Sequence, residues 1–335
     1  MGEYPTRFSN TRELCALPWF DLVDGRLVRD PSFGLAIDVH THLALAYLLP
    51  QKLDLLAEHP ETHHYLPLHR PLDLDVYANR NFSDGDLSTL ERDLSIGSLT
   101  AGGLRRTHTL PNLAREMRDL GVKSSVLLAI DFPALSDNAG DWLAAARGRD
   151  DFVVFGSVHP FRRQPERELD RQVLLGAKGI KVHPAAQLVH PSAERAIRLY
   201  RECGKRRLPV LWHCGPVGIE PRLGRYLSAV RHYGKAIEAC PDTTFVLGHT
   251  GALEVDEAIE LCRAHDNVWV ETSSQSVSAV RKILSSVNQD RILLGSDWPF
   301  YHQSMPLAKL FIAADGDDAL IAKVLRENAT RLLSL

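Results

Sequence analysis

The chain has 335 residues, of which 44% are hydrophobic and 24% are charged, and its formal net charge is -3. This balance is typical of a globular protein with a large core. It offers no electrostatic basis for binding nucleic acid or an anionic membrane surface. The longest apolar run near the start, residues 43–49, is far shorter than the roughly 20 residues that span a bilayer. We therefore expect neither a nucleic-acid partner nor a membrane protein.

The cysteines give a first indication of the compartment. There are five of them, an odd number, and they are widely spread without a C-x-x-C pair: Cys15, Cys203, Cys214, Cys240 and Cys262. Such a set is typical of reduced cysteines in a cytoplasmic protein, and it forms neither a disulfide framework nor a thiolate zinc site.

The first 104 residues divide into three parts. Residues 1–35 show no clear periodicity and are predicted to be an N-terminal arm. Residues 36–42, Ala-Ile-Asp-Val-His-Thr-His, are predicted to be a strand. Residues 43–104, dense in His, Pro, Asn, Asp and Gly, are predicted to be a long insertion after that strand. Such long loops in compact domains are often functional lids.

The first strand ends in an H-x-H pair. Because successive side chains of a strand point to opposite faces, His40 and His42 are expected to face the same way, with Asp38 one step further down. Two imidazoles on one face are suited to hold one metal ion. Alone the pair is a weak signal, since the chain has 15 histidines.

From Leu110 onward, short β-branched and aliphatic runs alternate with amphipathic segments. With the first strand, the predicted strands number eight: 36–42, 122–130, 152–158, 177–183, 208–213, 244–249, 267–272 and 291–297. Helices are predicted from Leu110 to Leu120 and around 142–146, and over 193–203, 224–239, 255–264, 277–285 and 318–335. Eight βα units close most simply into a (β/α)8 TIM barrel. No internal linker is evident, so we expect a single domain over residues 1–335.

Polar residues end several of the predicted strands. Strands 4, 5, 6 and 8 end in His183, His213, His249 and Asp297. Under strict alternation, His249 shares its inward face with Leu247 and Phe245. The active sites of barrels lie at the carboxyl ends of the strands, so these residues should converge with the H-x-H pair. Imidazole and carboxylate ligands without a thiolate favour Zn²⁺, with Mn²⁺, Fe²⁺ or Co²⁺ as alternatives.

Taken together, these segments resemble the amidohydrolase superfamily, specifically the amidohydrolase-2 group that includes aminocarboxymuconate-semialdehyde decarboxylase. The matching pieces, in order, are Asp38-Val-His-Thr-His42, Gly179-Ile-Lys-Val-His-Pro184, Trp212-His213, Gly248-His-Thr-Gly-Ala252, Gly295-Ser-Asp-Trp-Pro-Phe300 and Asn328-Ala-Thr-Arg-Leu332. They extend over essentially the whole predicted barrel. The resemblance implies a metal-dependent enzyme, and dimers are common in the group, so a homodimer is one assembly that it suggests.

The resemblance also implies roles for individual residues. His40, His42, His213 and Asp297 would bind one divalent metal, His249 would be the catalytic histidine, and Asp297 would double as general base. The group contains mononuclear and binuclear members, and the sequence leaves this open.

Two further inward positions and several peripheral ones remain to be placed. Lys181 is expected to pair with a carboxylate such as Asp38 rather than to bridge two metals. His183 is expected to line the pocket or to support a metal ligand.

Two sets of residues are expected to lie on the surface by default. The first, scattered histidines in the insertion, is His59, His63, His64 and His69. The second, arginines of which one could clamp a substrate carboxylate, is Arg70, Arg80, Arg222 and Arg225.

Two reactions fit the predicted site. The leading hypothesis is hydrolysis of a small carboxylic ester, lactone or amide by metal-bound hydroxide. The alternative is non-oxidative decarboxylation of an unsaturated or aromatic acid on the same scaffold, because fold and metal do not determine the reaction. The 35-residue arm before the H-x-H pair favours hydrolysis, because decarboxylases of the group often carry the pair early in the chain.

Overall fold

The computed structural model describes residues 4–47, 49–132 and 135–335. Residues 1–3 of the predicted arm and Leu48 of the predicted insertion lie outside the described residues. The five cysteines are free, and four of them are buried. None of the described helices is long and apolar enough to cross a membrane.

Eight parallel strands form one sheet within the described part of the chain. They are β1 Ala36–Thr41, β2 Val122–Leu128, β3 Phe152–Gly156, β4 Gly179–Val182, β5 Val210–His213, β6 Phe245–Gly248, β7 Val268–Glu271 and β8 Ile292–Leu293. Their order in the sheet is β8-β7-β6-β5-β4-β3-β2-β1. Every neighbouring pair in this order is parallel, as a βα repeat requires.

Hydrogen bonds between the first and last strands close the sheet into a barrel. The amide of Val39 donates to Leu294 O at 2.9 Å, and just beyond, the amide of His42 donates to Trp298 O at 2.7 Å. In the opposite direction the amide of Asp297 donates to His40 O at 2.8 Å. The predicted (β/α)8 barrel is confirmed, and its seam passes through the H-x-H pair.

Two apolar clusters fill the two sides of the barrel wall. The inner cluster holds residues from alternate strand positions: Ile37, Val39, Val126, Leu128, Val153, Phe155, Leu211, Val246 and Leu293. The intervening positions belong to a larger outer cluster that packs against the helices. Apolar residues on both faces are the pattern expected of parallel strands covered by helices.

Most of the helices occupy the connections between strands, and the last three, with a π-helical turn, follow β8. The α-helices are Asp84–Leu94, Leu110–Asp119, Asn138–Ala145, Pro165–Leu174, Pro184–Gln187, Glu194–Lys205, Arg222–Ser228, Gly234–Ala239, Val255–Ala264, Val277–Ser286, Ser304–Ala314, Asp318–Ala322 and Asn328–Leu333, with a π-helical turn at Lys323–Glu327. Shorter 3₁₀ turns are Thr11–Ala16, Pro31–Phe33, Ala78–Asn81, Ile96–Leu99, Leu104–Thr107, Val230–His232, His249–Gly251 and Gln289–Arg291.

The predicted helix over 224–239 is in fact two helices, Arg222–Ser228 and Gly234–Ala239. The break lies where backbone groups are used for contacts outside the helix. Ser228 O accepts from the Gly215 amide at 2.8 Å, and the Val230 amide donates to Glu254 Oε2 at 2.7 Å. Periodicity alone does not reveal such a break, because the apolar spacing continues across it.

The N-terminal arm is ordered and tied to the barrel. It contains an antiparallel hairpin, Phe20–Val23 with Arg26–Arg29. The buried guanidinium of Arg29 donates to Leu120 O at 2.6 Å and to Gly121 O at 2.9 Å. These bonds satisfy carbonyls at the end of helix Leu110–Asp119, so the arm stabilises the entry into β2.

The predicted insertion is structured rather than an irregular loop. It includes helix Asp84–Leu94, which begins with a capping box between Ser83 and Asp86. Its short strand Leu72–Asp73 pairs with Arg7–Phe8 of the arm. Five of its residues line the pocket at the barrel mouth: Leu45, Tyr47, Tyr77, Asn79 and Leu94.

A buried polar cluster around Glu116 fastens the insertion to the barrel. The carboxylate accepts from Trp298 Nε1 at 3.2 Å and the Gln303 amide at 2.7 Å, and it lies 2.8 Å from His64 Nε2. His64 is only 4% exposed, so its expected place on the surface is wrong. Its partner, Glu116, lies 52 residues away in the chain, so the residues around His64 give no sign of the contact.

The pKa of Glu116 makes this cluster a source of pH-dependent stability. Burial by itself raises the pKa, but His302, His64 and the hydrogen bonds lower it to about 2 from 4.5. Because the folded pKa lies below the unfolded value, the contribution is complete above about pH 4.5 and is lost as the pH falls towards 2.

We predict that Glu116→Gln lowers the free energy of unfolding at pH 7 by about 1–3 kcal/mol, because the amide offers one acceptor oxygen to buried groups that now share two, among them Trp298 Nε1 and the Gln303 amide. Urea denaturation at steps from pH 7 to pH 3 should show the difference from the unsubstituted protein shrinking below pH 4.5. Glu257→Gln, an exposed change on helix Val255–Ala264, is the matched control. A difference that stays constant over this pH range would contradict the role assigned to Glu116.

Candidate metal centre and active site

All seven residues singled out at the strand ends line one pocket of about 220 Å³ at the carboxyl ends of the strands. They are His40, His42, Lys181, His183, His213, His249 and Asp297. They lie in β1, β4 and β5, directly after β1, β4 and β6, and in the segment after β8, so only the closed barrel brings them together.

Three of these residues have the geometry of a metal site. Asp297 Oδ1 lies 3.5 Å from His40 Nε2 and 3.5 Å from His42 Nε2. Ligand atoms about 2.0–2.1 Å from one tetrahedral zinc ion lie about 3.3–3.4 Å apart. One nitrogen from each histidine and one carboxylate oxygen all lie within 4.8 Å of one another. The donor set and the spacing therefore fit a divalent cation.

Hydrogen bonds to the outer ring nitrogens orient both imidazoles. His40 Nδ1 lies 2.9 Å from Glu271 Oε1, and His42 Nδ1 lies 2.8 Å from Leu128 O. Because both partners can only accept, Nδ1 carries the proton in each ring and Nε2 keeps its lone pair. In each case that lone pair belongs to the nitrogen near Asp297, which is the arrangement found in metal-binding histidines.

Three further histidines lie beside this trio. His249 Nε2 is 3.1 Å from His213 Nδ1, and the rings of His183 and His213 stack with centroids 3.9 Å apart. His249 also forms a second close group with His40 and Glu271. His213, the fourth ligand implied by the resemblance, lies in the same pocket but outside both close groups.

Burial favours the neutral form of three of the site histidines. It lowers the pKa of His40, His213 and His249 well below the usual value, and neighbouring cationic groups add to the effect. Burial also raises the pKa of Asp297, and His42 opposes that change. A cluster of neutral imidazoles beside a carboxylate that is costly to ionise favours binding of a cation.

From the sequence, the Asp38 side chain was expected to share one face of β1 with His40 and His42, and this expectation is wrong. Asp38 is paired with Ser125 and Thr41 with Leu127, so three steps along β1 match two along β2. This is a β-bulge, which shifts the side-chain alternation by one residue. As a result, two consecutive side chains face inward: Val39 packs in the barrel interior, and His40 lines the pocket.

Asp38 consequently lies on the other face, and the expected Lys181–Asp38 pair is not formed. The Asp38 carboxylate accepts from Ser296 Oγ at 2.5 Å and Gln303 Nε2 at 2.7 Å. Lys181 Nζ lies instead 3.3 Å from His40 Nε2. Burial lowers the pKa of Lys181 to about 8, although Asp297 and Glu271 favour its charge.

Alternation also fails on β6, where Phe245 and Leu247 pack in the outer cluster and Val246 in the inner one. His249 was expected to lie on the same face of β6 as Phe245 and Leu247, which is the outer face in the structure. It reaches the pocket because its backbone adopts a left-handed conformation, with φ 56°. Such a conformation is uncommon outside glycine and is concentrated at functional sites.

Glu271 was not singled out from the sequence, although it ends β7 as the histidines end their strands. It is fully buried. Its carboxylate lies 2.9 Å from His40 Nδ1 and accepts from the His249 amide, Ser273 Oγ and the Ser273 amide. One side chain thus positions two residues of the candidate site.

The outer part of the pocket is apolar and aromatic. Leu45, Tyr47, Tyr77, Ile130, Phe300 and Tyr301 contribute to its wall. None of the described residues that line it is an arginine. Of the four arginines considered for a carboxylate clamp, Arg70 pairs with Asp86, and the others also lie outside the pocket lining.

Comparison with known proteins identifies the family and the fold. The sequence model of the family described as "Amidohydrolase" matches residues 37–335. No curated protein sequence matches the chain significantly.

Three of the similar solved structures are an uncharacterised protein, a decarboxylase and a putative hydrolase. An uncharacterised TIM-barrel protein from Bordetella bronchiseptica has 18% identity and a TM-score of 0.62, over 90% of this chain and 99% of that one. A 5-carboxyvanillate decarboxylase from Novosphingobium aromaticivorans, complexed with manganese and 4-hydroxy-3-methoxy-5-nitrobenzoic acid, has 17% identity and a TM-score of 0.62, over 92% and 98%. A putative 2-pyrone-4,6-dicarboxylic acid hydrolase from Pseudomonas putida has 16% identity and a TM-score of 0.57, over 90% and 97%. At these identities they show a shared fold.

We predict that Glu271→Gln weakens metal binding about 10–100-fold, because His40 loses the charged acceptor that orients its ring. Titration of the metal-free protein with Zn²⁺ against a competing chelator measures this directly. Glu260→Gln, on the exposed side of helix Val255–Ala264, is the control. Unchanged affinity in Glu271→Gln would show that Glu271 does not support a ligand.

Proposed function

Since this chain belongs to the amidohydrolase family, a family of metal-dependent enzymes, we propose that it hydrolyses a small, uncharged carboxylic ester, lactone or amide. The observation that carries the proposal is the place of the His40, His42 and Asp297 trio at the inner end of an apolar pocket. An arginine-free wall suits a neutral carbonyl compound, because a second charge on the substrate would find no guanidinium partner.

The residues of the pocket divide the chemical work as follows. His40, His42 and Asp297 would hold the ion, with His213 as a further candidate ligand. When bound, a divalent cation supplies a Lewis acid that polarises a carbonyl and lowers the pKa of water. Asp297 is placed to take the proton from the attacking water, since its carboxylate lies at the pocket with 13% of its side chain exposed.

His249 is proposed as the residue that acts on the carbonyl oxygen or the leaving group. Its Nδ1 lies 2.7 Å from Ser273 Oγ, and its Nε2 lies 3.1 Å from His213 Nδ1. These two contacts hold the ring in a fixed orientation beside the trio. To act on the substrate, the Nε2 of this ring exchanges its contact with His213 for one with the substrate, where it serves as an acid or a base.

Decarboxylation of an unsaturated or aromatic acid is the second candidate, and the aromatic wall favours it. Tyr47, Tyr77, Phe300 and Tyr301 can enclose a flat ring whose own carboxylate binds at the metal. Asp297, whose Oδ1 lies 3.5 Å from His40 Nε2 and from His42 Nε2, is placed to deliver a proton to the ring carbon after carbon dioxide leaves.

Further properties complete the proposal. We propose Zn²⁺ as the ion, with Mn²⁺, Fe²⁺ or Co²⁺ as alternatives, because the ligands are imidazole and carboxylate. We also propose one catalytic domain over residues 1–335, a cytoplasmic location, a small molecule as the sole substrate class, and a homodimer.

The reaction is tested by incubating the zinc-loaded protein with matched esters, lactones, amides and aromatic acids. We expect hydrolysis of at least one neutral carbonyl compound, loss of the activity with a chelator, and recovery on adding Zn²⁺. Release of carbon dioxide without a hydrolytic product would overturn the ranking in favour of decarboxylation. Less than about a tenth of an equivalent of metal after reconstitution would argue against both reactions.

Substitutions separate the ligands from the catalytic histidine. We predict that His249→Asn keeps the metal but lowers kcat about 10²–10⁴-fold, the range for a positioned acid or base. His213→Ala and Asp297→Ala should lose both metal and activity. Metal content by elemental analysis and kcat are measured on the same samples. An empty site in His249→Asn would make His249 a ligand instead.

A further inference from the structure

The pocket contains one carboxylate that the proposed chemistry does not use. The described residues that line the pocket include two acids, Asp297 and Glu220, and one lysine, Lys181. Lys181 lies at the metal end, 3.3 Å from His40 Nε2. Glu220 lies instead on the loop between β5 and helix Arg222–Ser228, within the largely apolar wall.

Half of the Glu220 carboxylate is without a partner. Oε1 accepts from the Val217 amide at 2.9 Å. Oε2 is shielded from solvent and has no hydrogen-bond partner among the described residues. A buried acceptor of this kind costs free energy unless something donates to it. A donor on the bound substrate can supply this hydrogen bond without rearranging the protein.

Glu220 is also held in place from the opposite wall of the pocket. Val217, whose amide fixes Oε1, receives a hydrogen bond at its carbonyl from Asn79 Nδ2 at 2.9 Å. Asn79 Oδ1 in turn accepts from the hydroxyl of Tyr301. This chain of contacts joins the insertion, the segment after β8 and the loop after β5. The carboxylate is therefore preorganised, which is a property of binding groups.

The geometry points to Glu220 as a specificity residue that accepts a hydrogen bond from a hydroxyl or amino group on the ring of the substrate. This inference rests on the proposed function and narrows its substrate to a small ring compound with such a donor besides the reacting carbonyl. The pocket of about 220 Å³ is smaller than the roughly 300–1,000 Å³ of sites for drug-sized ligands, which suits a single ring. A second carboxylate on the ring would be repelled by Glu220.

Binding of ring carboxylates to the zinc-loaded protein, measured by calorimetry, tests this without relying on turnover. The probes are benzoate, its 3- and 4-hydroxy and 3- and 4-amino derivatives, isophthalate and terephthalate. We expect the best donor-bearing ligand to bind about 10-fold more tightly than benzoate, the usual gain from a hydrogen bond to a charged group. The two dicarboxylates should bind more weakly than benzoate.

Two variants with graded expected effects keep the test decisive. Glu220→Gln should reduce the preference for the donor-bearing ligand to about 3-fold or less and should improve binding of the dicarboxylates. Glu220→Leu should reverse the order, so that benzoate binds at least as tightly as its derivatives, because an apolar side chain has replaced the acceptor. Glu194→Gln, exposed at the start of helix Glu194–Lys205, should keep the full preference.

The outcomes separate this inference from the proposed function. Equal binding of benzoate and all its derivatives by the unsubstituted protein, or an unchanged preference in Glu220→Gln, would overturn the role of Glu220 and leave the metal chemistry standing. If the protein hydrolyses no compound and binds none of the ring ligands although zinc is present, the proposed function is wrong and the inference falls with it.

Discussion

Closure of the barrel between β1 and the segment after β8 is the constraint on which the candidate site depends. The same backbone hydrogen bonds that close the sheet hold its polar residues, since the His42 amide donates to Trp298 O and the Asp297 amide donates to His40 O. Two histidines and a carboxylate more than 250 residues apart in the chain are thereby held at 3.5 Å. An open sheet, with its first and last strands at opposite edges, would separate them.

Burial makes this arrangement costly in the absence of a cation and selective for one in its presence. Four imidazoles and Asp297 are withdrawn from solvent, and the pKa changes of His40, His213, His249 and Asp297 all disfavour their charged forms. The contact between His249 Nε2 and His213 Nδ1 pairs two of the imidazoles, whereas a divalent cation binds the lone pairs of several of them together. The hydrogen bonds that the imidazoles donate to Glu271 Oε1 and Leu128 O select the ring nitrogen that each ligand presents to the ion. The site therefore favours a cation through its burial and its outer contacts as much as through its ligands.

The sequence predicted the parts of this structure that depend on local periodicity. All eight strands were located because their residues are apolar on both faces, and the polar strand ends were visible as histidines and Asp297. The predictions that were wrong concern features that depend on contacts with other parts of the chain. The bulge that turns Asp38 outward depends on the register with β2, and the left-handed backbone of His249 depends on the turn that follows β6. Neither leaves a pattern in composition or spacing.

Partners that are far apart in the chain explain the residues that sequence reasoning missed. His64 looks like a surface histidine until Glu116 is placed beside it. Glu271 looks like an ordinary acid at the end of a strand until its carboxylate is seen to contact both His40 and His249. The carboxylate at the end of β7 was the available signal, because the neighbouring strands end in site residues in the same way. A strand-by-strand reading of a barrel should therefore weigh every polar strand end, and not the histidines alone.

The division between the metal end and the outer wall explains why the ligands do not determine the reaction. The trio and its supporting contacts come from the strands and the seam, which the fold positions rigidly. The wall comes from the insertion and from loops after the strands, which contribute Tyr47, Tyr77 and Glu220. Because loops change without altering the barrel, substrate choice is separable from metal chemistry. In this chain the contact between Asn79 and Val217 joins the insertion to the loop that carries Glu220. A change in either segment would therefore alter which ring compound fits, while the metal ligands stay where the seam places them.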